Sequence, residues 1–335
     1  MFYFCRVESP HRQIDPFRTP LDVGRAPFEL SVASRVVLLG SCFAQNVGDR
    51  LRSCLPEGGV GQSAFGVLYN PASIAQALRL LLGEEEFSAE DSLFEGRDGL
   101  WHSRLHAAEF SAESREACAA RVLEALERGR RELRRANVVC LTFGTNRVYR
   151  LREGGRVVAN CHKEPAALFA EDSLSPADIA AEWEPLLRSL RTALPEAWVV
   201  FTVSPYIYLK YGLHGDALSK SALLLAVDAL CRSCDRAAYF PAYEIVSREL
   251  RDYRFYDADM QHPSTQACDY VFARFQDWAF SDELRAFAAD KIALTRAAAH
   301  RPLHPESDAA RAFAADLQAR REAFIEKWKS KTYKL

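Results

Sequence analysis

Four runs of consecutive apolar residues divide the chain and predict its strands. Each run carries apolar side chains at adjacent rather than alternating positions, which is typical of strands buried on both faces of a parallel sheet. The runs are RVVLLG at 35–40, NVVCLTFG at 137–144, AWVVFTVSP at 197–205 and AAYFPAYEIV at 237–246. We therefore expect a central sheet that contains these four segments.

Helical patterns occupy the segments between the runs. Phe43, Val47 and Leu51 recur at a spacing of four residues, and residues 114–135 are rich in Ala, Glu, Arg and Leu. Two further helices are expected from the N-cap Ser175, with proline next, and across residues 216–234. Because strands alternate with helices, the sequence predicts an α/β fold with a parallel sheet and helices on both faces.

Two regions depart from this alternation. Residues 84–112 contain acidic and glycine-containing turns with an aromatic and histidine cluster, and we expect them to form an insertion over the sheet. From residue 282 the chain is rich in Ala, Arg and Glu, which predicts a helical tail. The expected organisation is one α/β domain over residues 1–281, which carries the insertion, and a helical C-terminal extension over 282–335.

The amino-acid composition argues against several classes of protein. The 43 basic and 45 acidic side chains nearly cancel, unlike the basic surface that binds nucleic acid. No stretch approaches the roughly 20 apolar residues that span a bilayer, and the N-terminal MFYFCRVESPHRQ lacks the pattern of a secretory signal. The nine scattered cysteines argue against a disulfide framework. We expect a cytoplasmic protein with no nucleic-acid partner and no membrane span.

The first strand-to-helix turn carries Ser41 and Cys42 side by side, in LLGSCFAQ. Ligands of open parallel sheets bind at the carboxyl ends of the strands, so this turn is a candidate site. The N–H groups and dipole of a helix N-terminus favour the thiolate form of a cysteine, whose ordinary pKa is about 8.5. We therefore predict a lowered pKa and a nucleophilic role for Cys42. The alternative is that the pair only caps the helix and fills a tight turn.

A base for this nucleophile is expected far downstream, in YRFYDADMQHPSTQ. Asp259 and His262 are three residues apart there, after the last predicted strand. At this spacing a carboxylate holds the imidazole in one tautomer while the other ring nitrogen faces the nucleophile. An isolated D-x-x-H string is common by chance, so the hypothesis rests on its position after the final strand.

GSCFA at 40–44 is followed by eight further strings in order. They are FGVLYNP (65–71), WHS (101–103), LTFGTNRVY (141–149), NCHK (160–163), TVSP (202–205), SKSALL (219–224), YFPAYEI (239–245) and RDYRFYDADMQHPS (251–264). With these strings, residues 25–280 resemble the GSCFA family, a branch similar to the SGNH or GDSL hydrolases. The resemblance implies a three-layer α/β/α sandwich, flavodoxin-like in its central parallel sheet, and ester or acyl-transfer chemistry.

The resemblance also implies which residue attacks the substrate. The first SGNH block is Gly-Asp-Ser, with the nucleophile third, and it falls on Gly40, Ser41 and Cys42. Cysteine thus replaces the usual serine nucleophile, and Ser41 takes the place of the aspartate and donates a hydrogen bond. A shift of one residue makes Ser41 the nucleophile instead.

Further site residues follow from the same resemblance. It implies that the backbone N–H of Gly66 and the side chain of Asn146 stabilise an oxyanion, with His262 as base and Asp259 orienting it. The structural alternatives are that Gly66 only forms a turn and that Asn146 only caps the segment after its strand.

Two histidines are secondary candidates because they lie in family-like strings. His102 in WHS and His162 in NCHK are expected to shape a pocket for a polar or anionic substrate, and the alternative for each is a surface or packing role. Cys161 beside His162, and Cys231-x-x-Cys234, have spacings that occur in metal sites. The second pair lies on a predicted helix without a partner pair, so we expect neither a metal nor a cofactor.

The sequence thus predicts an esterase or acyltransferase that forms an acyl-enzyme on Cys42, or on Ser41, with the pair Asp259 and His262. The expected partner is a small-molecule or carbohydrate ester, such as an acylated sugar or metabolite, with a separate acyl donor if the enzyme is a transferase. The alternatives are a catalytically silent ligand-binding protein on the same fold and a metal-dependent hydrolase.

Overall fold

A computed structural model of the chain describes residues 18–304 and 306–332, and all four apolar runs contribute strands. The described residues contain nine strands: β1 (Val36–Gly40), β2 (Leu93–Glu95), β3 (Trp101–Ser103), β4 (Val138–Phe143), β5 (Arg147–Leu151), β6 (Val157–Val158), β7 (Phe169–Ser173), β8 (Trp198–Val203) and β9 (Ala237–Tyr239). The central sheet has the order β1-β4-β8-β9, and every neighbouring pair is parallel.

Helices connect these strands, as the alternating pattern predicts. They are α1 (Cys42–Cys54), α2 (Pro71–Leu82), α3 (Ala89–Ser92), α4 (Arg115–Leu133), α5 (Pro176–Ala193), α6 (Gly212–Ser233), α7 (Ala242–Glu244), α8 (Thr265–Ala279), α9 (Asp282–Ala299) and α10 (Asp308–Thr332). The predicted N-cap Ser175 is confirmed, and its side chain forms a reciprocal capping box with Asp178.

Alternate residues of the central strands face opposite helical layers. Val37 and Val139 belong to the apolar cluster that contains residues of α2, α4, α5 and α6. Val36 and Val138 belong to a second cluster, with residues of α1, α8 and α9. The predicted α/β class is therefore confirmed, with a four-stranded parallel sheet between two helical layers.

Two small antiparallel sheets lie outside this sandwich. Strands β2 and β3 form a hairpin within the predicted insertion, 84–112. The other sheet, in the order β6-β5-β7, was not predicted. Because β5 begins only a few residues after β4 ends, this second sheet rises from the carboxyl end of a central strand. We call it the arm.

The last apolar run is only partly a strand, so the prediction for residues 237–246 needs correction. Strand β9 ends at Tyr239, and α7 continues into a π-helix over Ile245–Leu250. Pro241 lacks a backbone N–H and does not extend the ladder.

The predicted C-terminal tail is helical and packs on the sandwich. Lys291 of α9 donates hydrogen bonds to the backbone carbonyls of Arg52, at 2.6 Å, and Leu55, at the end of α1. Phe287 of α9 contacts Trp328 of α10, with ring centroids 5.2 Å apart. No helix in the described ranges has the length and apolar character needed to cross a membrane.

Candidate active site

The turn after β1 places Cys42 at the carboxyl edge of the sheet. Gly40 has a φ of +146°, and a Cβ at this position would lie 2.4 Å from the carbonyl oxygen of Thr142. Only glycine fits where the ends of β1 and β4 approach so closely. The chain then enters α1, whose first residue is Cys42.

The thiol of Cys42 is half-buried, and its environment acts on its pKa in two directions. Burial raises the pKa, while the backbone N–H groups of Phe43 and Cys42 and the charge of Lys220 lower it, and the net shift is upward. The prediction of a lowered pKa was wrong, because desolvation of the thiolate outweighs the helix N-terminus here. Cys42 is therefore a thiol at neutral pH and needs a base to become a nucleophile.

Ser41 is buried directly before it. Its exposed fraction is 1 %, and its hydroxyl has no hydrogen-bond partner within the described part of the chain. Ser41 is the N-cap residue of α1 by backbone conformation, yet its side chain makes no capping hydrogen bond. Of the two adjacent side chains, Cys42 is the more accessible to a substrate.

Asp259 and His262 form a hydrogen-bonded pair, as their spacing predicts. The ring Nδ1 of His262 lies 2.6 Å from Asp259 Oδ2, and the backbone N–H groups of Gln261 and His262 each donate to Oδ1 at 2.9 Å. The bond from the His262 ring, followed by these two N–H groups, lowers the pKa of Asp259 to about 2. An ionised Asp259 requires a proton on Nδ1, which leaves Nε2 of His262 as the basic nitrogen.

A loop after β8 holds this pair in place. The N–H of Ile207 donates to the carbonyl of Gln261 at 3.0 Å, and the hydroxyl of Tyr206 donates to the Gln261 side chain at 3.2 Å. The Tyr206 ring packs edge-on against the His262 imidazole, with centroids 4.4 Å apart. The position of the imidazole is thus fixed from the carboxyl end of β8.

The imidazole of His262 contacts Tyr206, and the charge of Cys42 acts on the pKa of the same tyrosine. After burial, the negative charges of Asp259 and Cys42 both contribute to the raised pKa of Tyr206. The helices that follow the two groups also meet, because Arg50 of α1 pairs with Asp269 of α8 at 2.7 Å. Within the described residues, the thiol of Cys42 and the ring of His262 are not hydrogen-bonded to each other.

Tyr208 is a neighbour of the thiol that was not singled out in the sequence. Its hydroxyl is buried and has no hydrogen-bond partner among the residues described. A Cβ added to Gly144 would lie 2.6 Å from this hydroxyl and 3.5 Å from the Cβ of Ser41. Burial, the nearby Tyr69 and the charge of Cys42 hold the pKa of Tyr208 well above its usual value. Tyr208 is therefore a neutral, unused hydrogen-bond donor beside the Ser41–Cys42 turn.

Lys220 of α6 is a second such neighbour. Its side chain is fully buried, donates to the carbonyl of Gly144 at 2.6 Å, and lies 5.1 Å from the centre of the Tyr208 ring. Burial lowers the pKa of Lys220 to about 8, against the opposing effect of the negative charges of Asp216 and Cys42. A sequence signal for it existed in SKSALL, because Lys220 occupies the helix stripe that otherwise buries Leu223 and Val227.

The two proposed oxyanion donors lie in different surroundings. The side-chain amide of Asn146 donates to the carbonyl of Leu174 at 2.8 Å, and the N–H of Leu174 donates back to the carbonyl of Asn146. This reciprocal pair closes the base of the arm. Gly66 lies in a cavity wall with Gly40 and Ala44, on the flank of α1. Its own role as a donor stays a prediction.

His102 and His162 connect the insertion to the loop before β7. The ring nitrogens of His102 lie 2.6 Å from the hydroxyl of Ser111 and 2.9 Å from the carboxylate of Asp98. Nε2 of His162 donates to the backbone carbonyls of Ser103, at 2.8 Å, and His106. The imidazoles of His102 and His162 are 4.5 Å apart. Because these ring nitrogens bond internal partners, the geometry favours a packing role for both.

The cysteines and histidines that were considered as metal ligands do not form a shared site in the described part of the chain. Within the described ranges, all eight cysteines are free. In the same residues no three His, Cys, Asp or Glu side chains converge as a metal set.

A cleft of about 620 Å³ lies between the carboxyl edge of the central sheet and the arm. Its walls include the aromatic side chains Tyr69, Tyr149, Phe169, Tyr208 and Tyr211. Tyr69 and Tyr208 border Gly144, where an added Cβ would lie 3.5 Å from the Cβ of Ser41, so this wall adjoins the turn that carries Cys42. Cys42 itself is not among the residues that line the cleft.

A comparison with protein-family models matches the part of the chain that contains this candidate site. The GSCFA family model matches residues 35–275, a span that begins one residue before β1, ends within α8 and contains every site residue described above. A search among curated proteins gives no significant match. Because the family model covers well over half of the sequence, the chain belongs to the GSCFA family.

Proposed function

We propose that this protein is an esterase or acyltransferase that forms a covalent acyl-enzyme on Cys42. The observation that carries the proposal is the hydrogen-bonded pair of Asp259 and His262, which packs on Tyr206 and precedes a helix that is ion-paired to α1. An acid that orients an imidazole near a nucleophile is the arrangement of acyl-transfer enzymes. The resemblance to SGNH hydrolases, with a nucleophile after the first strand and D-x-x-H before a late helix, supports the same chemistry.

In the first half-reaction the thiol becomes acylated. Nε2 of His262 takes the proton from Cys42, and the sulfur attacks the carbonyl carbon of the ester. The tetrahedral intermediate then expels the alkoxide, which takes the proton from the imidazolium and leaves as an alcohol. Asp259 stays ionised and stabilises the imidazolium, as its low pKa requires.

The negative charge on the carbonyl oxygen needs hydrogen-bond donors. The backbone N–H of Cys42 supplies one at the start of α1. We assign a second to the hydroxyl of Tyr208, because it is buried, neutral and without another acceptor in the described chain. Such donors cost little reorganisation when the charge develops. Asn146 instead supports the arm through its bonds to Leu174.

In the second half-reaction the thioester is cleaved. Nε2 of His262 removes a proton from water or from an acceptor hydroxyl, whose oxygen attacks the thioester carbonyl. The thiolate of Cys42 leaves and regains the proton from the imidazolium. Water makes the enzyme an esterase, and a sugar or metabolite hydroxyl makes it an acyltransferase. The aromatic walls of the cleft suit either an acylated sugar or a small acylated metabolite.

The test is acylation by p-nitrophenyl acetate, followed by intact-protein mass spectrometry and nitrophenol release. We expect one acetyl adduct on the wild-type protein and none on Cys42→Ala. Cys54→Ala is the matched control, because Cys54 lies at the opposite end of α1 and should leave the adduct unchanged. His262→Ala should slow adduct formation by about 10²-fold or more. An adduct that persists in Cys42→Ala would contradict the assignment of Cys42 as the nucleophile.

One observation favours the alternative function, a ligand-binding protein on the same fold that has no catalytic activity. The thiol has a raised pKa and no hydrogen bond to the imidazole, so the pair is not pre-assembled. A folded wild-type protein that neither acquires an adduct nor releases nitrophenol from any short-chain ester would support binding without turnover.

A further inference from the structure

The charged side chains of the cleft are paired, with one exception among the residues described. Lys210 and Glu171 form an ion pair at 2.9 Å, and Glu164 pairs with Arg104 at the cleft wall. Arg147 also lines the cleft, yet its side chain has no carboxylate partner and no hydrogen-bond partner in the same part of the chain. Two positive and two negative side chains line the cleft, and Arg104, which is outside this lining, pairs with Glu164, so the positive charge without a carboxylate partner belongs to Arg147.

The position of Arg147 is fixed by its surroundings. It is the first residue of β5, and its N–H donates to the Thr145 hydroxyl at 3.1 Å. The guanidinium lies over the Tyr211 ring, 4.8 Å from its centre, and Nε is buried without an acceptor in the described ranges. Leaving a buried guanidinium N–H unpaired is costly, and a carboxylate or phosphate is the group that best satisfies it.

We propose that Arg147 binds an anionic group, a carboxylate or a phosphate, on the molecule that reacts at Cys42. This inference rests on the proposed acyl-transfer function. Tyr69 and Tyr208 of the cleft wall border Gly144, where an added Cβ would also lie 3.5 Å from the Cβ of Ser41, so the cleft adjoins the turn that carries the thiol and one ligand can extend from Arg147 toward it. Its body packs on the aromatic walls, and its anion neutralises the unpaired guanidinium.

The preferred substrate is therefore an ester or acyl compound that carries a negative charge remote from the scissile bond. Neutral esters of the same length should react at the thiol but bind more weakly. Charge alone does not define this subsite, because the planar guanidinium also offers two parallel N–H donors that match the two oxygens of the anion.

The test compares matched esters. Mono-p-nitrophenyl esters of succinate, glutarate and adipate carry a terminal carboxylate, and p-nitrophenyl butyrate, pentanoate and hexanoate are their uncharged counterparts. For at least one chain length, we expect Arg147→Gln to lower kcat/KM for the carboxylate ester by about tenfold or more. The value for the neutral ester should stay within about twofold. Arg147→Lys should recover part of the loss.

Arg150→Gln is the matched control. Arg150 lies three positions further along β5, is absent from the cleft wall, and bonds the Gly155 carbonyl, at 3.4 Å. Its removal should change neither class of ester. Melting temperatures of all variants report whether the arm remains folded.

A second measurement distinguishes a carboxylate from a phosphate and does not depend on turnover. Inorganic phosphate and succinate are each titrated into the wild type and Arg147→Gln, with the thermal shift as the readout. Stabilisation by phosphate alone, lost in the variant, identifies a phosphate group, and stabilisation by succinate identifies a carboxylate. Equal responses of wild type and variant to both anions would overturn the anion subsite, even if Cys42 is acylated. Failure of every ester to react, with Arg147-dependent binding retained, would overturn only the proposed chemistry.

Discussion

At the scale of single residues, the candidate site combines a protonated nucleophile with polar groups that lack partners. Burial keeps Cys42 a thiol, and the ionised Asp259 keeps the basic nitrogen of His262 available. The hydroxyls of Ser41 and Tyr208 are both buried and unpaired in the described chain. Buried polar groups without partners destabilise a fold, and they are retained most often where a ligand satisfies them.

Tyr208→Phe tests this trade between stability and activity. We expect nitrophenol release to fall by about 10²-fold, the typical effect of losing one oxyanion donor. The melting temperature should stay equal or rise, because the variant removes a buried hydroxyl that has no partner within the described ranges. Steady-state kinetics and thermal unfolding measure the two effects.

The control for that variant is Tyr239→Phe. The hydroxyl of Tyr239 donates to Glu244 at 2.6 Å, so its loss should lower the melting temperature and leave the kinetics unchanged. If Tyr208→Phe instead loses stability and keeps its activity, Tyr208 is a structural residue.

At the scale of elements, the apolar pattern predicts the central sheet but not the arm. Strands β1, β4 and β8 are buried on both faces, so their sequences are apolar apart from Thr142 in β4 and Thr202 in β8. Strand β5 buries only Val148 fully, and β7 buries only Phe169, so neither segment differs from a polar loop in sequence. The cleft wall formed by the arm therefore had no counterpart in the sequence prediction.

The residues of the candidate site also divide into those that the sequence predicts and those that it does not. Cys42, Asp259 and His262 lie at turns that topology makes recognisable, since a strand end or a D-x-x-H string marks each of them. Tyr208 is recognisable only from its contact with Gly144, which belongs to a different segment. Lys220 leaves a signal as a lysine in the apolar stripe of α6, but its bond to Gly144 depends on tertiary packing.

Helix α6 supports the edge of β4 through Lys220, and this link predicts a pH dependence of stability. The pKa of Lys220 is about 8 in the folded protein and about 10.4 in an unfolded chain. Between these values the unfolded chain binds a proton that the folded chain does not, so stability from this group rises with pH. The cost of burying the charge is complete below about pH 8 and disappears above about pH 10.4.

Lys220→Met removes this dependence. Relative to the variant, the wild type should gain unfolding free energy as pH rises from 7 to 10, by on the order of 2 kcal/mol. Urea denaturation at each pH measures the difference. Lys210→Met is the control, because Lys210 is exposed and its bonds to Tyr149 and Glu171 outweigh burial and raise its pKa. A wild-type advantage that is constant with pH would contradict a buried, titrating Lys220.

At the scale of the whole molecule, the helical tail joins the α/β domain through α9 rather than through α10. Leu284 and Phe287 of α9 are buried in the same apolar cluster as Leu51 of α1. Helix α10 in turn packs on α9, where Trp328 donates to Asp290 at 3.0 Å. The family match ends before α9, yet packing makes this helix a part of the layer that carries Cys42.

Two truncations separate the contributions of these helices. A stop after residue 281 removes α9 and exposes the outer side of α1, including the end where Lys291 binds the Leu55 carbonyl. Burial of Leu284 and Phe287 alone is worth on the order of 5 kcal/mol, a large part of the stability of an ordinary domain.

A stop after residue 304 keeps α9 and should lower the melting temperature by only a few degrees. We expect the shorter chain to unfold and lose acylation at Cys42, and the longer one to keep it. Equal melting temperatures for the full chain and the 281-residue chain would show that the tail is independent of the active-site layer.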